Sequence, residues 1–569
     1  MGSEAANWNH SVDVLVVGSG GGAMTAAIRA HDLGANTLVI EKTDMYGGTT
    51  AMGGGVIWVP DSHLMAELNL KDDKEKGFEY IKYLSRGEVP DERIRAYVDK
   101  APEMLRWVHD KTRLRFTSLD IYPDYYPAAP GYMPGGRSHD PCAFDGKLLG
   151  DDIMNLRELH PQTLIFGRLT METMEFRTVF QKSKGWVGLM MKVALQYLFD
   201  IRQRFRSKRS RRLTLGNSVA GSLRMSMIDR DIPFWLNCPM KELIKEGDRV
   251  TGVVAEKDGK QIHIKAEKGV ILGAGGFEKN QEMREEYLPK PTRARWSTGS
   301  PGNTGDIIRA GKAIGADLGF MDDAWWGPTV VVPGEDFGRM MIVEKSLPGC
   351  LFVDKKGRRF TDEAAPYIEV VKDMYKRQDE GTECVPAYMI FGATYRKKYP
   401  VGPVFPGENQ PNAFVPKALW DSYIYKADSV RELAEKMDID PAGLEQSVSN
   451  MNGYAESGKD EEYDKGGTEY DRFYGDEACG YPNPCLSPID APYYGVRVYA
   501  GELGTKGGLM ANEKSMVLDT SGNTIKGLYA IGNCSAALMG PTYAGAGSTV
   551  GPAMTFGYIA AEDAMTASE

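Results

Sequence analysis

The apolar positions near the start of the chain fall into two short blocks separated by glycines and an amphipathic stretch. The first block, residues 12–17, reads VDVLVV and predicts a strand buried on both faces. Gly18, Gly20, Gly21 and Gly22 follow at once, then a helix-like segment at 24–33. A second apolar run at 36–40 ends in Glu41. Strand, glycine turn, helix, strand and acid, in that order over about 30 residues, make a dinucleotide-binding βαβ unit. Gly18 permits the tight turn, Gly20 lets the backbone approach a pyrophosphate, and Ala23 is the small residue that lets helix and strand pack closely. The helix N-terminus offers unpaired N–H groups and its positive dipole end to the phosphates. Glu41 is placed for a ribose hydroxyl, with Ser19 and Lys42 beside the same turn and strand end.

The pattern changes several times further on. Residues 62–111 carry apolar side chains at helical spacing, among them Ile81, Leu84, Ile94, Tyr97, Met104 and Val108, and predict a solvated helical layer without chemistry. Residues 121–138 are rich in Pro, Gly and Tyr and read as a loop with fixed turns. Segments 233–254 and 261–272 suggest strands of a small β-layer. KGVILGAGGFEKN at 268–280 lacks a following strand and ribose acid, so it reads as a return to the first sheet, with Ala274 and Gly275 near the cofactor. Between about 283 and 499 aromatics, prolines and charged turns dominate, with amphipathic helices expected at 430–436 and 441–457. The acidic stretch 459–477 is expected to be a solvated loop. The last segment predicts a buried strand at 528–531, a turn at Gly532 and Asn533, and a helix at 548–564. Ser548, Thr549 and Val550 begin that helix, which is expected to face the cofactor. The division is therefore 1–282 plus 500–569 for the cofactor, with 283–499 inserted as the substrate domain.

Residues 186–212 stand apart. From Trp186 to Ile201 nearly every side chain between Gly188, Lys192, Gln196 and Asp200 is apolar, a wider face than a globular helix needs. Lys192 and Asp200 interrupt it too early for a span of about 20 residues. Arg202, Arg204, Arg206, Lys208, Arg209, Arg211 and Arg212 follow. An apolar helix beside a basic cluster suits the surface of an anionic membrane; a buried helix with a basic C-terminal turn fits the same letters.

A chain of 569 residues exceeds what one core holds, in keeping with that division. Its net charge of −10 argues against nucleic acid as a partner. Seven cysteines without a CxxC indicate neither a zinc site nor a disulfide framework. The beginning, MGSEAANWNH, has no apolar signal segment, so a cytoplasmic location is expected, peripheral on the membrane if 186–212 docks there.

A second glycine-rich loop after Glu41 narrows the cofactor. Gly47, Gly48, Thr49 and Thr50, then Gly53, Gly54 and Gly55, are more than a nicotinamide dinucleotide needs; the longer arm of FAD requires such a backbone to lie along. No second nucleotide-binding unit follows. All seven histidines precede the inserted domain, so that domain offers no histidine acid or base. Tyrosines occupy the loops expected at the flavin: Tyr125, Tyr367 and Tyr543. A phenol of pKa about 10 is a poor base at neutral pH but serves when a neighbouring hydroxyl stabilises its phenolate and the proton lies α to a polarised carbonyl. Gly545 and Gly547 are placed to give N–H groups to an enolate oxygen.

Together VVGSGGGA, IEKTDMYGGTTA, GAGGFEKNQEMRE, STGSPGNTGD, ELGTKGGL, GLYAIGN and TYAGAGSTVGPA resemble the 3-ketosteroid Δ1-dehydrogenases, members of the flavoprotein family that includes fumarate reductases. The likeness runs from about residue 12 to 564, with 185–215 as an extra segment. It implies an α/β fold, a Rossmann-like FAD-binding domain with an inserted α+β catalytic domain. Tyr125 matches the first tyrosine of the family's PDYY motif, Tyr367 that of its PY segment, and Tyr543 and Gly547 the ends of its YxGxG motif. Ala546 stands where many members have proline. The resemblance implies that Tyr543 and Gly547 bind the C3 carbonyl and that Tyr367, assisted by Tyr125, removes a C2 proton. A hydride then passes from C1 to the flavin, and a quinone or respiratory carrier reoxidises it. The apolar segment would suit sterols with an intact side chain. A Δ4-dehydrogenase of the same fold, a fumarate-type reductase and a non-catalytic electron-transfer or sterol-binding flavoprotein are the competing readings; the YxGxG motif, the absent histidines and the three tyrosines respectively weigh against them.

Overall fold

The computed structural model describes residues 8–180 and 184–566. Strand β1 (His10–Val17), helix α1 (Gly21–Asp32) and strand β2 (Thr37–Ile40) form the expected βαβ unit. The helix starts at Gly21 rather than Met24 because Gly20 is itself the N-cap. The glycines therefore lie inside the first turn, where their lack of side chains exposes backbone N–H groups.

β1 pairs in parallel with β2 and with Lys260–Leu272, and the latter with Thr524–Ala530. Val17 stands opposite both Ile40 and Leu272, and Leu272 opposite Ala530. Four strands thus end at one level, and Gly18, Glu41, Gly273 and Ile531 leave the sheet side by side. This is the carboxyl edge at which open α/β sheets bind ligands. The strands Met240–Glu246, Arg249–Lys257 and Lys260–Leu272 form the small β-layer expected, with the residues from 268 returning to the first sheet as expected. They join the same eight-stranded sheet, because the first half of Lys260–Leu272 pairs antiparallel with Arg249–Lys257 while its second half lies against β1. The C-terminal helix Val550–Thr566 packs so closely on α1 that a Cβ at Gly22 would meet the Ala553 carbonyl oxygen at 2.4 Å. Helices His63–Glu67, Lys74–Leu84 and Asp91–Lys111 supply the expected outer layer.

Six antiparallel strands build the second sheet: Ala324–Val331, Gly338–Met340, Cys350–Val353, Ala387–Phe391, Ile424–Ala427 and Tyr493–Thr505. The boundary expected at 499/500 falls inside the last of these. Helices Val430–Met437 and Pro441–Ser457 occur where the pattern predicts them, N-capped by Ser429 and Asp440.

Residues 459–477 are not the solvated loop expected. Asp460 receives hydrogen bonds from Arg359 at 3.0 and 2.8 Å, Arg359 also binds Glu363, and all three are buried. Lys465 is buried too, its ammonium 2.9 Å from the Cys350 carbonyl. The charges are paired inward, which composition does not reveal. The turn after them, Glu469–Phe473, turns Tyr470 into the protein.

The segment 186–212 is two helices, Trp186–Phe199 and Ile201–Arg206, separated at Asp200. Val193, Leu189, Met190 and Ala194 pack on Leu169, Met171 and Phe176. Val187, Met191, Leu195, Leu198 and Phe199, spaced three to four residues apart or adjacent, face outward, and Phe205 is 89% exposed. Five of the seven basic residues of the expected cluster have partners within the chain, the Arg206 pair lying exposed on the surface. Arg206 pairs with Asp151, Arg211 with Asp200 and Arg212 with Glu175, Arg204 binds the Lys208 carbonyl, and Arg209 is buried on the Ile153 and Leu156 carbonyls. No described helix is long and apolar enough to cross a membrane.

Candidate active site

One cavity of about 1180 Å³ runs from the glycine turn after β1 to the aromatic loops of the second domain. Its first half is lined by most of the residues expected to hold the cofactor. Gly18, Ser19, Gly20, Gly21, Gly22, Ala23, Glu41, Lys42, Gly48, Thr49, Thr50, Gly54, Gly55, Ala274, Gly275, Gly532, Asn533, Thr549 and Val550 all line it. Ser548 does not; its hydroxyl braces the turn by bonding Gly545 N–H and carbonyl at 2.9 and 2.7 Å.

The groove fits a dinucleotide by its shape and its donors. Gly18 has φ +106, and a Cβ there would meet the Gly273 carbonyl oxygen at 2.5 Å. Gly48 has open space where a side chain would stand, a cradle left for a ligand. Gly22 and Ala23 N–H groups lie in the first turn of α1, where no intrahelical acceptor exists, while Thr50 takes the Gly21 N–H at 3.1 Å. The Glu41 carboxylate is held at the strand end by Ser19 at 2.6 Å and by the Thr43 N–H at 2.9 Å. Lys42 reaches across the groove to Asp306 and Thr304. Thr49 accepts from Ser300 N–H and from the Asn303 amide, both at 3.0 Å.

The second half is a cage of phenols. Tyr125, Tyr367 and Tyr543 are all buried. Their ring centroids lie 5.4–5.6 Å apart, Tyr125 stacked on Tyr543 and Tyr367 edge-on to both. The Tyr125 and Tyr367 hydroxyls are 3.2 Å apart. Each ring comes from a differently anchored segment. Tyr367 opens the helix Tyr367–Asp379. Tyr125 is held through its N–H to the Ala544 carbonyl at 3.0 Å. Beside it, buried Asp124 accepts from Trp58 at 2.7 Å and from Arg137 at 2.8 Å, and Arg137 is clamped by Asp72. Tyr80 also donates to the Ala544 carbonyl, at 2.8 Å, so the outer helical layer that promised no chemistry supports the site.

Gly547 lies against this platform with φ +100, and a Cβ on it would fall 2.4 Å from the Ile57 carbonyl carbon. Ser138 donates to the Ala546 carbonyl at 2.9 Å. Across a trans peptide the Gly547 N–H must then point the other way, and it faces the Tyr543 hydroxyl. Burial pushes all three phenols above the usual tyrosine range, Tyr125 and Tyr367 far above it. At Tyr543 the hydroxyls of Tyr367 and Thr549 and the Gly547 N–H oppose that rise.

Sequence reasoning passed over Tyr470 and Tyr474. Tyr470 packs 4.6 Å from Tyr125, its buried hydroxyl without a protein partner among the described residues. Tyr474 meets the Tyr122 hydroxyl, and Phe473 the Tyr122 ring. The aromatic spacing inside DRFY and EYDRF was the available signal, hidden by the acidic residues around it.

Residues 13–550 match the family described as FAD binding domain. The chain is 37% identical over 562 residues to a 3-oxosteroid 1-dehydrogenase of Mycolicibacterium smegmatis, covering 97% of this chain and 96% of that protein. It is 37% identical over 557 residues to one from Comamonas testosteroni, with the same coverage. The crystal structure of a 3-ketosteroid Δ1-dehydrogenase from Sterolibacterium denitrificans, in complex with 1,4-androstadiene-3,17-dione, superposes with a TM-score of 0.94 at 46% identity, over 98% of this chain and all of that one. A 3-ketosteroid-Δ4-(5α)-dehydrogenase from Rhodococcus jostii, at 21% identity and a TM-score of 0.68, shares the fold. With its glycine groove, its inserted antiparallel domain and this full-length likeness, the chain belongs to the FAD-dependent 3-oxosteroid 1-dehydrogenase family.

Proposed function

We propose that the protein desaturates the A ring of 3-ketosteroids between C1 and C2. The observation that carries this reading is the meeting of three phenols and the Gly547 N–H in one cavity continuous with the FAD groove. Relatives that act on simpler ring ketones support the chemistry. A 4-oxocyclohexanecarboxylate 2-dehydrogenase of Sinomonas cyclohexanicum is 30% identical over 568 residues, so the common element is a ring carbonyl beside the new double bond.

In this reading Tyr543 O–H and Gly547 N–H hold the C3 carbonyl oxygen and stabilise the negative charge it gains as the C2 proton leaves. One such donor is worth about 10²–10³ in rate. Tyr367 takes the C2 proton, and Tyr125 shares the charge through the bond between their hydroxyls. FAD, when bound in the groove, supplies the acceptor for the hydride that leaves C1. The buried rings exclude water from the reacting carbons. An external acceptor, a quinone or respiratory carrier, closes the cycle.

The outward apolar face of 187–199 lies on the helix whose Trp186 and Met190 line the same cavity. That continuity supports contact with a lipid surface and delivery of sterols with an intact side chain. Since most of the neighbouring arginines are already paired, apolar contact rather than charge would hold it there.

Anaerobic addition of a 3-ketosteroid tests the central reading. Bleaching of the flavin absorbance with formation of the 1,2-ene is expected. No bleaching, or 4,5-desaturation of a saturated-ring 3-ketosteroid, would overturn it.

A further inference from the structure

The ELGTKGGL motif has so far supplied no function. Its lysine, Lys506, follows the strand Tyr493–Thr505 and is completely buried. The ammonium has three N–H donors and meets three acceptors: the Gly540 carbonyl at 2.8 Å, the Thr542 carbonyl at 2.9 Å and Asp323 at 3.2 Å. Lys372, on the helix opened by Tyr367, donates to the carbonyl between those two, that of Pro541, and approaches Asp323 at 3.6 Å. Three consecutive carbonyls therefore end on two ammonium groups, and the next residue is Tyr543.

The anchor for this clamp is itself fixed. Asp323 also accepts from the Ala324 N–H at 2.8 Å and from Trp326 at 2.7 Å. Above the clamp, the Lys506 ammonium lies 4.8 Å from the Trp325 ring, whose plane meets Tyr543 edge-on at 5.2 Å and whose N–H binds Asn533 in the FAD groove. Gly540 enters the turn with φ +54, its Cβ direction blocked by the Ser85 backbone. These bonds hold the 540–542 turn, and the Tyr543 ring follows directly from it.

We propose that Lys506 is a positioning residue for the ketone-binding tyrosine: it fixes the turn from which Tyr543 projects, and so sets where the substrate's carbonyl oxygen is held. The inference rests on the role given to Tyr543 above. Lys506 touches neither substrate nor reacting atoms; it acts through the three peptide groups before Tyr543. The charged groups that face it are Asp323 and, from the helix Tyr367–Asp379, Lys372 and Glu369. Burial and the nearby Lys372 lower its pKa to about 8, with Asp323 opposing them.

The test uses the flavin-loaded enzyme with Lys506→Met, Lys506→Arg, Lys372→Gln and, as reference, Tyr543→Phe. For Lys506→Met we expect normal flavin content, kcat down at least tenfold and KM within about threefold. Affinity for a steroid with an aromatic, phenolic A ring, a stand-in for the enolate, should fall by at least as much as kcat. Affinity for a 3-ketosteroid should change less. Lys506→Arg, which keeps the charge and part of the bonding, should recover some of the loss. Lys372→Gln is partly exposed and frees one carbonyl, and should show the same pattern more weakly. Lys506→Met with wild-type kcat and phenol affinity, beside an inactive Tyr543→Phe, would overturn this inference alone. An active Tyr543→Phe would overturn the reading beneath it. If Lys506→Met does not fold, an unchanged Lys372→Gln overturns the inference and a selective loss of phenol affinity in it supports it.

Discussion

The Tyr125 and Tyr367 hydroxyls stand 3.2 Å apart between buried rings, with the Tyr543 ring 5.4 Å from each of theirs. A proton taken by one phenol can be shared with the other without crossing water. Tyr367→Phe should then lower kcat by about 10²–10⁴, the range for a lost general base, while Tyr125→Phe lowers it less. Flavin absorbance and melting temperature should be unchanged in both. Turnover of Tyr367→Phe near the wild-type level would remove this tyrosine from the proton step.

The pH dependence follows from burial. Burial, then the neighbouring Tyr543 and Tyr470 phenols, lift Tyr367 far above the usual tyrosine range, and its bond with Tyr125 only partly offsets that. A base with a raised pKa is protonated at neutral pH, so its competent fraction grows as pH rises. kcat/KM should climb from pH 6 to about 8, where the Lys506 ammonium begins to lose its proton, without an inflection near 6.5. The two most buried histidines, His139 and His160, are pushed down to about 3 by burial and stay neutral throughout. A profile that falls across this interval would contradict a phenol base.

Gly547→Ala should be inactive. Its Cβ would need space occupied by the backbone of Ile57 and Trp58, at a φ of +100, so the turn must move and carry the N–H with it. The unfavourable φ alone costs about 1–3 kcal/mol, and the displaced Ile57–Trp58 backbone adds to it. Circular dichroism should be preserved while turnover falls at least a hundredfold.

Arg359→Leu should destabilise the second domain by about 3–5 kcal/mol, the usual result of unpairing a buried charge. Burial would raise Glu363 and Asp460, but Arg359 brings both below the usual carboxylate values. A depressed folded pKa gives stability that is present above the unfolded value, near 4, and is lost as pH falls through the folded one. Wild-type melting temperature should therefore drop below about pH 4, and the variant should lose less there. Equal acid sensitivity in both would exclude this linkage.

Met191→Glu with Leu198→Glu should abolish sedimentation with lipid vesicles without lowering melting temperature, because both side chains face outward. Neutral and anionic vesicles should bind the wild type to similar extents. A strong preference for anionic lipid would restore the arginines to the leading role.

The βαβ unit was legible in the sequence because its rule is local: a glycine turn must sit between a buried strand and a helix, and an acid must end the second strand. The tyrosine cage was legible only in part. Tyr125, Tyr367 and Tyr543 were picked out by the loops they occupy and given roles only by motif likeness, since no periodicity links residues so far apart. Tyr470 and Tyr474 were lost because Asp460, Lys465 and Asp471 make their segment look solvated, whereas each is buried. The same limit applied to Arg209 and Arg211. A row of arginines has one appearance in sequence whether its partners are water or the carbonyls of Ile153 and Leu156.

The level ending of four strands also has a consequence for biosynthesis. Val17, Ile40 and Leu272 are in place early in the growing chain, but the fourth strand ends at Ala530, and Thr549 and Val550 come later still. A nascent chain presents the glycine turn long before it can close the groove around FAD. Cofactor capture should therefore await residues 524–550, and a chain ending before Thr524 should emerge without flavin; retention of FAD by such a fragment would contradict this order of assembly.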